Sequence, residues 1–176
     1  MTVRTILPFG DPLLRKACRP ITEMSPRMLT LLTDLKETLY AEPGRAGLAA
    51  PQIGMLRRAV VMDMGDGFRE FINPEIMEAH GEQQSFEACL SYPGYYGRVT
   101  RYQYVKVKSV DQEGQQLITE AEGDLAVCLQ HEIDHLDGIL FVDRMKDGVL
   151  IHEVTKHRVP LLDVIKLANS RTCSLP

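Results

Sequence analysis

The sequence has no long apolar run. Nothing in it approaches the ~18 consecutive apolar residues that a membrane-spanning helix needs, so no membrane partner is expected. It has no long hydrophobic region near the start either. Met1 to Gly10 carries Arg4 and only a short apolar patch, which argues against a signal peptide. An excess of positive charge is missing: 20 Lys and Arg stand against 24 Asp and Glu, for a formal net charge of -4. Direct nucleic-acid binding is therefore not expected. Cysteine is sparse. Cys18, Cys89, Cys128 and Cys173 are widely spaced in a chain large enough to fold without disulfides. They read as thiols in a reducing compartment, any one of which could be a ligand. There is no internal repeat, low-complexity tract or linker. The 176 residues, 44% hydrophobic and 25% charged, describe one ordinary globular domain over 1–176.

What is present is helical periodicity in a few places and β-type segments between them. Ser25-Pro26 reads as an N-cap with proline at the first helical position. Met28, Leu31, Leu32, Leu35 and Leu39 then recur at helical spacing, which predicts a helix over 26–41 that breaks at Pro43-Gly44. Ala59 to Asp63 and Glu70 to Asn73 read as short strands around Gly65-Asp66-Gly67. Arg101 to Asp111 is β-rich, and Glu113-Gly114 turns it into Gln116 to Glu120 as a hairpin. A second helix is predicted over Asp124 to Asp137, ending at Gly138. Leu125, Val127, Cys128, Leu129, Ile133 and Leu136 surround it on most sides, so it should be buried. The tail from about 147 to 169 reads as one or two helices interrupted at Pro160.

The second helix carries His131-Glu132-Ile133-Asp134-His135. Two histidines one turn apart share a helix face, so both rings can reach one metal ion. Glu132 can then contact a water on that metal. Buried histidines can also be satisfied by structural hydrogen bonds, so the pentapeptide alone is a hypothesis. The third ligand stays open at this level. The metzincin extension has Gly138 but fails at Phe141, where its last histidine should stand. A thermolysin-like site would need a downstream acid, and Glu153 is as well explained by a solvated helix face. His152 and His157 read as surface residues. Cys128 would put three ligands on consecutive turns of one helix, which suits a core thiol better. Cys89 lies outside the helix and would complete a three-ligand site with one open position, though a buried cysteine more often serves as a small hydrophobe.

Three segments occur in order: Gly47-Leu48-Ala49-Ala50-Pro51-Gln52, then Glu87-Ala88-Cys89-Leu90-Ser91, then Gln130-His131-Glu132-Ile133-Asp134-His135-Leu136-Asp137-Gly138. Together with Phe71-Ile72-Asn73-Pro74, this set resembles the peptide deformylase family from about Pro8 to Met145. The resemblance implies an α+β fold, with antiparallel β-sheets around a central buried helix that carries the two histidines. It implies removal of the formyl group from N-formylmethionine on nascent polypeptides, with release of formate. Cys89, His131 and His135 would bind the metal, and Glu132 would be the general acid and base. Gln52 and the backbone N–H of Leu90 would hold the oxygen of the tetrahedral intermediate. Gly47 would pair with the substrate backbone, and Arg101 with Glu87 beneath the methionine pocket. Ala46, Val127, Cys128 and His131 would help line that pocket.

The implied metal is Fe2+, with Zn2+ or Ni2+ able to replace it in purified protein. The implied location is the bacterial cytoplasm, an organelle being the other option. The tail has three readings: core cover, dimer contact, or contact with the ribosome.

The chemistry suits these residue types. Amide hydrolysis needs an activated water, a proton shuttle and donors for the developing oxyanion. Two positions depart from the family's usual pattern: Arg45 stands where its first motif begins with glycine, and Ala88 stands for glycine in the second. Both add bulk beside the substrate strand. They motivate the alternative of a deformylase-like peptide-binding protein with reduced or lost activity.

Overall fold

The computed structural model describes residues 2–172, with side chains described as far as Lys166. Cys173 and the side chain of Leu167 lie outside the described residues. The first helix, α1, runs Pro26–Tyr40 behind an extended Ser25. It follows the predicted apolar stripe, whose Met28, Leu31, Leu32, Leu35 and Leu39 are all buried. The Ser25 side chain makes no capping bond.

After α1 the chain builds two antiparallel sheets. The first contains β1 (Gly47–Ala49), β2 (Ala59–Asp63), β3 (Phe68–His80), β6 (Tyr104–Val110) and β7 (Gln116–Glu122), in the order β1-β2-β3-β6-β7. The second contains β4 (Gln83–Cys89), β5 (Tyr92–Arg101), β8 (Met145–His152) and β9 (Arg158–Pro160), in the order β4-β5-β8-β9. Two further α-helices, α2 (Gly123–Leu136) and α3 (Leu161–Thr172), and the 3₁₀ turns Pro12–Arg15, Ala50–Ile53 and Phe141–Arg144 complete the elements among the described residues. The α+β architecture and the buried histidine helix match the expectation from sequence.

Strand alternation explains how α2 comes to be central. Val60 and Met62 of β2 and Ala49 of β1 pack with Ala126, Leu129, Ile133 and Leu136 of α2. Their neighbours Ala59, Val61 and Leu48 pack with the apolar stripe of α1. Successive side chains of a strand point to opposite faces, so β1 and β2 are covered on both sides. That is why Ala59 to Met62 is an unbroken apolar run rather than an alternating one. A fully buried leucine or valine stabilises the fold by about 1.5–3 kcal/mol relative to exposure. The sandwiched strands therefore anchor α2, and with it the histidines. The helix stops at Gly138, whose φ is +73°, and a Cβ there would lie 2.6 Å from the Arg15 carbonyl oxygen. Only glycine suits both the left-handed conformation and this close approach.

Three expectations are corrected. The tail is not helical from 147: Met145–His152 is β8, paired with β5 through Tyr95↔His152, Tyr96↔Ile151 and Gly97↔Leu150. Leu150 is fully buried, and this non-local pairing overrides a weak local pattern. The helical part of the tail begins only after Pro160, at Leu161. The segment predicted over Glu70 to Asn73 runs on as β3 to His80, despite Asn73-Pro74. Asn73 adopts a positive φ of 51° at a register shift. Its side chain accepts from Ile21 N (2.8 Å) and donates to Ile21 O (2.7 Å), so the apparent turn is a bulge that binds the strand to the N-terminal segment. Finally, β4 and β5 had no counterpart in the predicted elements, and they form the wall that carries Cys89.

Candidate active site

Cys89 ends β4, and His131 and His135 lie one turn apart on α2. Their ligand atoms, one from each residue, all lie within 4.8 Å of one another, and all three residues are buried. Cys89 Sγ is 3.3 Å from His135 Nε2. The Nδ1–H of His131 donates to Glu87 Oε2 at 2.7 Å. That bond fixes the ring and leaves its Nε2 free, the usual arrangement for a metal-binding histidine. Phe141, which excluded the metzincin pattern, has its ring stacked near that of His131, at 6.1 Å between centroids and 22° between planes. A ring that packs stands where a further ligand would be required.

These residues fit a metal on their own chemistry. One thiolate and two imidazoles form a three-ligand set of the kind used for zinc or ferrous iron, with a further position open. Glu132, the residue after the first histidine, is buried, and its Oε2 has no hydrogen-bond partner within the described protein. A buried carboxylate oxygen with no partner is costly and marks a place for a ligand. Burial pushes the Glu132 carboxyl up to about 7; the Glu87 charge adds to this and the His131 charge opposes it. Burial pulls His131 down, but Cys89 and Glu87 outweigh it and hold the ring well above the usual histidine range. Burial, reinforced by the His131 and Arg101 charges, puts His135 well below that range.

The site opens into a cleft of about 920 Å³. One wall carries Ala46 and Gly47 at β1, the edge of the first sheet. The other carries Glu87, Cys89 and Leu90 along β4, the edge of the second. Gln52 and the α2 residues Val127, Cys128, His131 and Glu132 also face the cleft. Among the residues singled out from sequence, Arg101 and His135 lie outside the cleft lining. His135 is only 1% exposed. Cys128 is half-buried: it packs against the core around α2 and also lines the cleft. Burial, with the Glu132 and Glu87 charges, pushes its thiol far up, so it stays protonated and unreactive.

Gln52 turns out to be both a turn cap and a donor aimed at the site. Its Oε1 accepts from Ala49 N at 2.9 Å. Its Nε2 is 3.6 Å from Cys89 Sγ and donates to Ser91 Oγ at 3.3 Å. Ser91, buried and not singled out from sequence, thereby helps aim the amide. Glu87 and Arg101 are each 5% exposed, so they are not an ordinary surface pair. Arg101 donates to both Glu87 oxygens, through Nε at 2.7 Å and Nη2 at 3.0 Å. Asp134 was also missed, although a second buried carboxylate beside Glu132 in a largely apolar helix was the available signal.

The two departures from the usual pattern have separate outcomes. Arg45 lies on the cleft rim, but its guanidinium turns back to the Thr38 carbonyl and the Glu42 carboxylate. Its bulk is held against the end of α1. Ala88 sits in paired β4 backbone opposite Tyr96 and borders the cleft. Gly47 is the sterically constrained position. A Cβ there would lie 2.5 Å from Glu132 Oε1 and 2.9 Å from two Glu132 carbons. Gly47→Ala should therefore fold and bind metal normally but lose about 10²-fold in turnover, the cost of a misplaced reacting group. Turnover measured at confirmed metal stoichiometry checks this.

Fold and site together define a metallohydrolase of the His-Glu-x-x-His class in which a cysteine from a strand joins the two histidines in a group able to hold a metal ion. The profile of the polypeptide deformylase family matches residues 3–149. A peptide deformylase of Agathobacter rectalis is 48% identical over 155 residues, covering 88% of this chain and 96% of that protein. The crystal structure of a peptide deformylase from Legionella pneumophila superposes with a TM-score of 0.81 at 37% identity, covering 99% of this chain and 100% of that one. One from Synechococcus elongatus, in complex with actinonin, gives a TM-score of 0.76 at 37% identity, covering 80% and 78%. The chain belongs to the peptide deformylase family, metal-dependent hydrolases that remove the formyl group from the N-terminus of new polypeptides. No helix among the described residues is long and apolar enough to cross a membrane.

Proposed function

We propose that Cys89, His131 and His135 hold the metal and that Glu132 carries the proton during deformylation. The observation that supports this best is the meeting of these three ligands with a partnerless buried carboxylate at the base of a cleft. When bound, the metal supplies an acidified water and polarises the formyl carbonyl. Glu132 takes up a proton on its free Oε2 and returns it to the leaving amine. The amide of Gln52 and the N–H of Leu90 donate to the carbonyl oxygen as it becomes an oxyanion. Gln52 is already held by Ala49 and Ser91, so little reorganisation is needed. Gly47 and its neighbours at the β1 edge, together with β4, bond to the peptide backbone as flanking strands. Ala46, Val127 and Cys128 enclose the methionine side chain, and Glu87 with Arg101 forms the polar floor beneath.

Ferrous iron is the metal we assign in the cell. A thiolate with two imidazoles accepts it, while zinc or nickel binds such ligands more tightly and replaces it during purification. We assign the protein to the cytoplasm of a bacterium, where nascent formylated chains leave the ribosome. The full chain loaded anaerobically with Fe(II) or Ni(II) should release formate from formyl-Met-Ala-Ser. Absence of release with metal confirmed bound would overturn the reading, as would cleavage of unformylated peptides at internal bonds.

A further inference from the structure

Glu87 orients His131, but Glu87 is itself a buried carboxylate whose position needs explaining. It sits at the end of a chain of charged groups that crosses four elements. Arg101, the last residue of β5, donates to both Glu87 oxygens and, through Nη1, to Asp134 Oδ2. Asp134 lies on α2, three residues after His131. It accepts a second guanidinium: Arg144 donates from Nη2 to Oδ1 at 2.7 Å and from Nε to Oδ2 at 3.1 Å. Arg144 ends the 3₁₀ turn Phe141–Arg144 that leads into β8. The sequence of contacts is therefore His131, Glu87, Arg101, Asp134, Arg144.

We propose that Asp134 and Arg144 are positioning residues for His131, acting through Arg101 and Glu87. This rests on the reading of His131 as a metal ligand. The Arg101 side chain is 4% exposed and is shared between two carboxylates whose side chains are 4% and 10% exposed. Arg101 divides its donors between two buried carboxylates, and Arg144 supplies the further donors that Asp134 accepts. Its fork grips both Asp134 oxygens, and such bidentate pairs fix geometry as well as charge. With Asp134 held flat, one face of the Arg101 guanidinium is spoken for and the other is aimed at Glu87. Loss of Arg144 frees Asp134 to rotate and draw Arg101 with it. Glu87 then loses the bonds that set its plane, and the His131 ring loses its orientation. The Arg144 side chain is 45% exposed, so its Coulomb contribution is screened by solvent. Its effect is the geometry it imposes on Asp134.

The test is a titration of the full-length chain, stripped of metal, with Co(II), read by its visible ligand-field absorption. Arg144→Met and Asp134→Asn should each weaken Co(II) binding about tenfold, the low end of what loss of an outer partner costs, and shift the absorption bands. Arg144→Lys, with the charge but no fork, should fall between Arg144→Met and the parent. Arg58→Met is the structural control. It breaks the pair with Asp137 just past the end of the same helix, and should lower the melting temperature comparably while leaving Co(II) affinity within about twofold. A loss below about fivefold in Arg144→Met, or an equal loss in Arg58→Met, overturns the proposal. Failure of the parent chain to bind Co(II) would instead overturn the metal reading on which it rests.

Discussion

Glu132→Gln is expected to keep the fold, the metal and the peptide cleft, yet lose about 10²–10⁴-fold in kcat. The substitution preserves shape and keeps an oxygen beside the Gly47 α-carbon, so the tight contact there is unchanged. What disappears is the ability to gain and lose a proton. The Glu132 Oε2 has no hydrogen-bond partner among the described residues, so removing its charge breaks no structural bond. Relief of a buried, desolvated carboxyl should raise stability slightly. Activity and stability should therefore move in opposite directions. Turnover, metal content and melting temperature measured on one preparation check this. Activity within tenfold of the parent would remove Glu132 from the proton-transfer role.

The second large effect separates two cysteines that a sequence count treats alike. Cys89→Ser should weaken metal binding by more than the ~100-fold that loss of an outer partner costs, because a ligand is lost directly. Cys128→Ser should keep the metal and change stability by about 1 kcal/mol or less, since Cys128 is half-buried at the cleft rather than inside the ligand cluster. Metal stoichiometry by elemental analysis reads both variants at once. Equal metal content and equal turnover in the two would reject the ligand assignment.

Helix positions were legible because their signals are local. Ser25-Pro26 and the stripe from Met28 to Leu39 located α1 to within a residue. The apolar surround of α2 announced its burial, and Gly138 announced its end. The proposed third metal ligand was not legible from spacing, because Cys89 is separated from His135 by 46 positions; setting aside the other candidates left it open, and the family resemblance gave it the role. Strands β4, β5 and β8 were hidden for the same reason. Pro93, Gly94 and Gly97 interrupt the β pattern of β5, and β8 forms only where Leu150 meets β5 across the sheet. The charged chain through Asp134 and Arg144 was half visible. A carboxylate between two histidines on a buried helix needs a partner, but nothing in the local sequence says that two arginines from other elements supply it. The resemblance implied an oxyanion donor at Gln52; one end of its amide caps the turn at Ala49, and the other faces Cys89 and Ser91.

The edges of the two sheets, β1 and β4, border the cleft from two sides, with no strand between them among the described residues. Exposed edges ordinarily invite unwanted pairing with other chains. Here β1 is only three residues long, and both edges border the cleft of about 920 Å³. A guest held by its main chain on both sides is recognised by atoms that every polypeptide shares. In the proposed arrangement only the first side chain enters a dedicated pocket. Tolerance of the residues that follow would then come from the sheet architecture itself, and one such catalyst could serve as many different gene products as a cell translates.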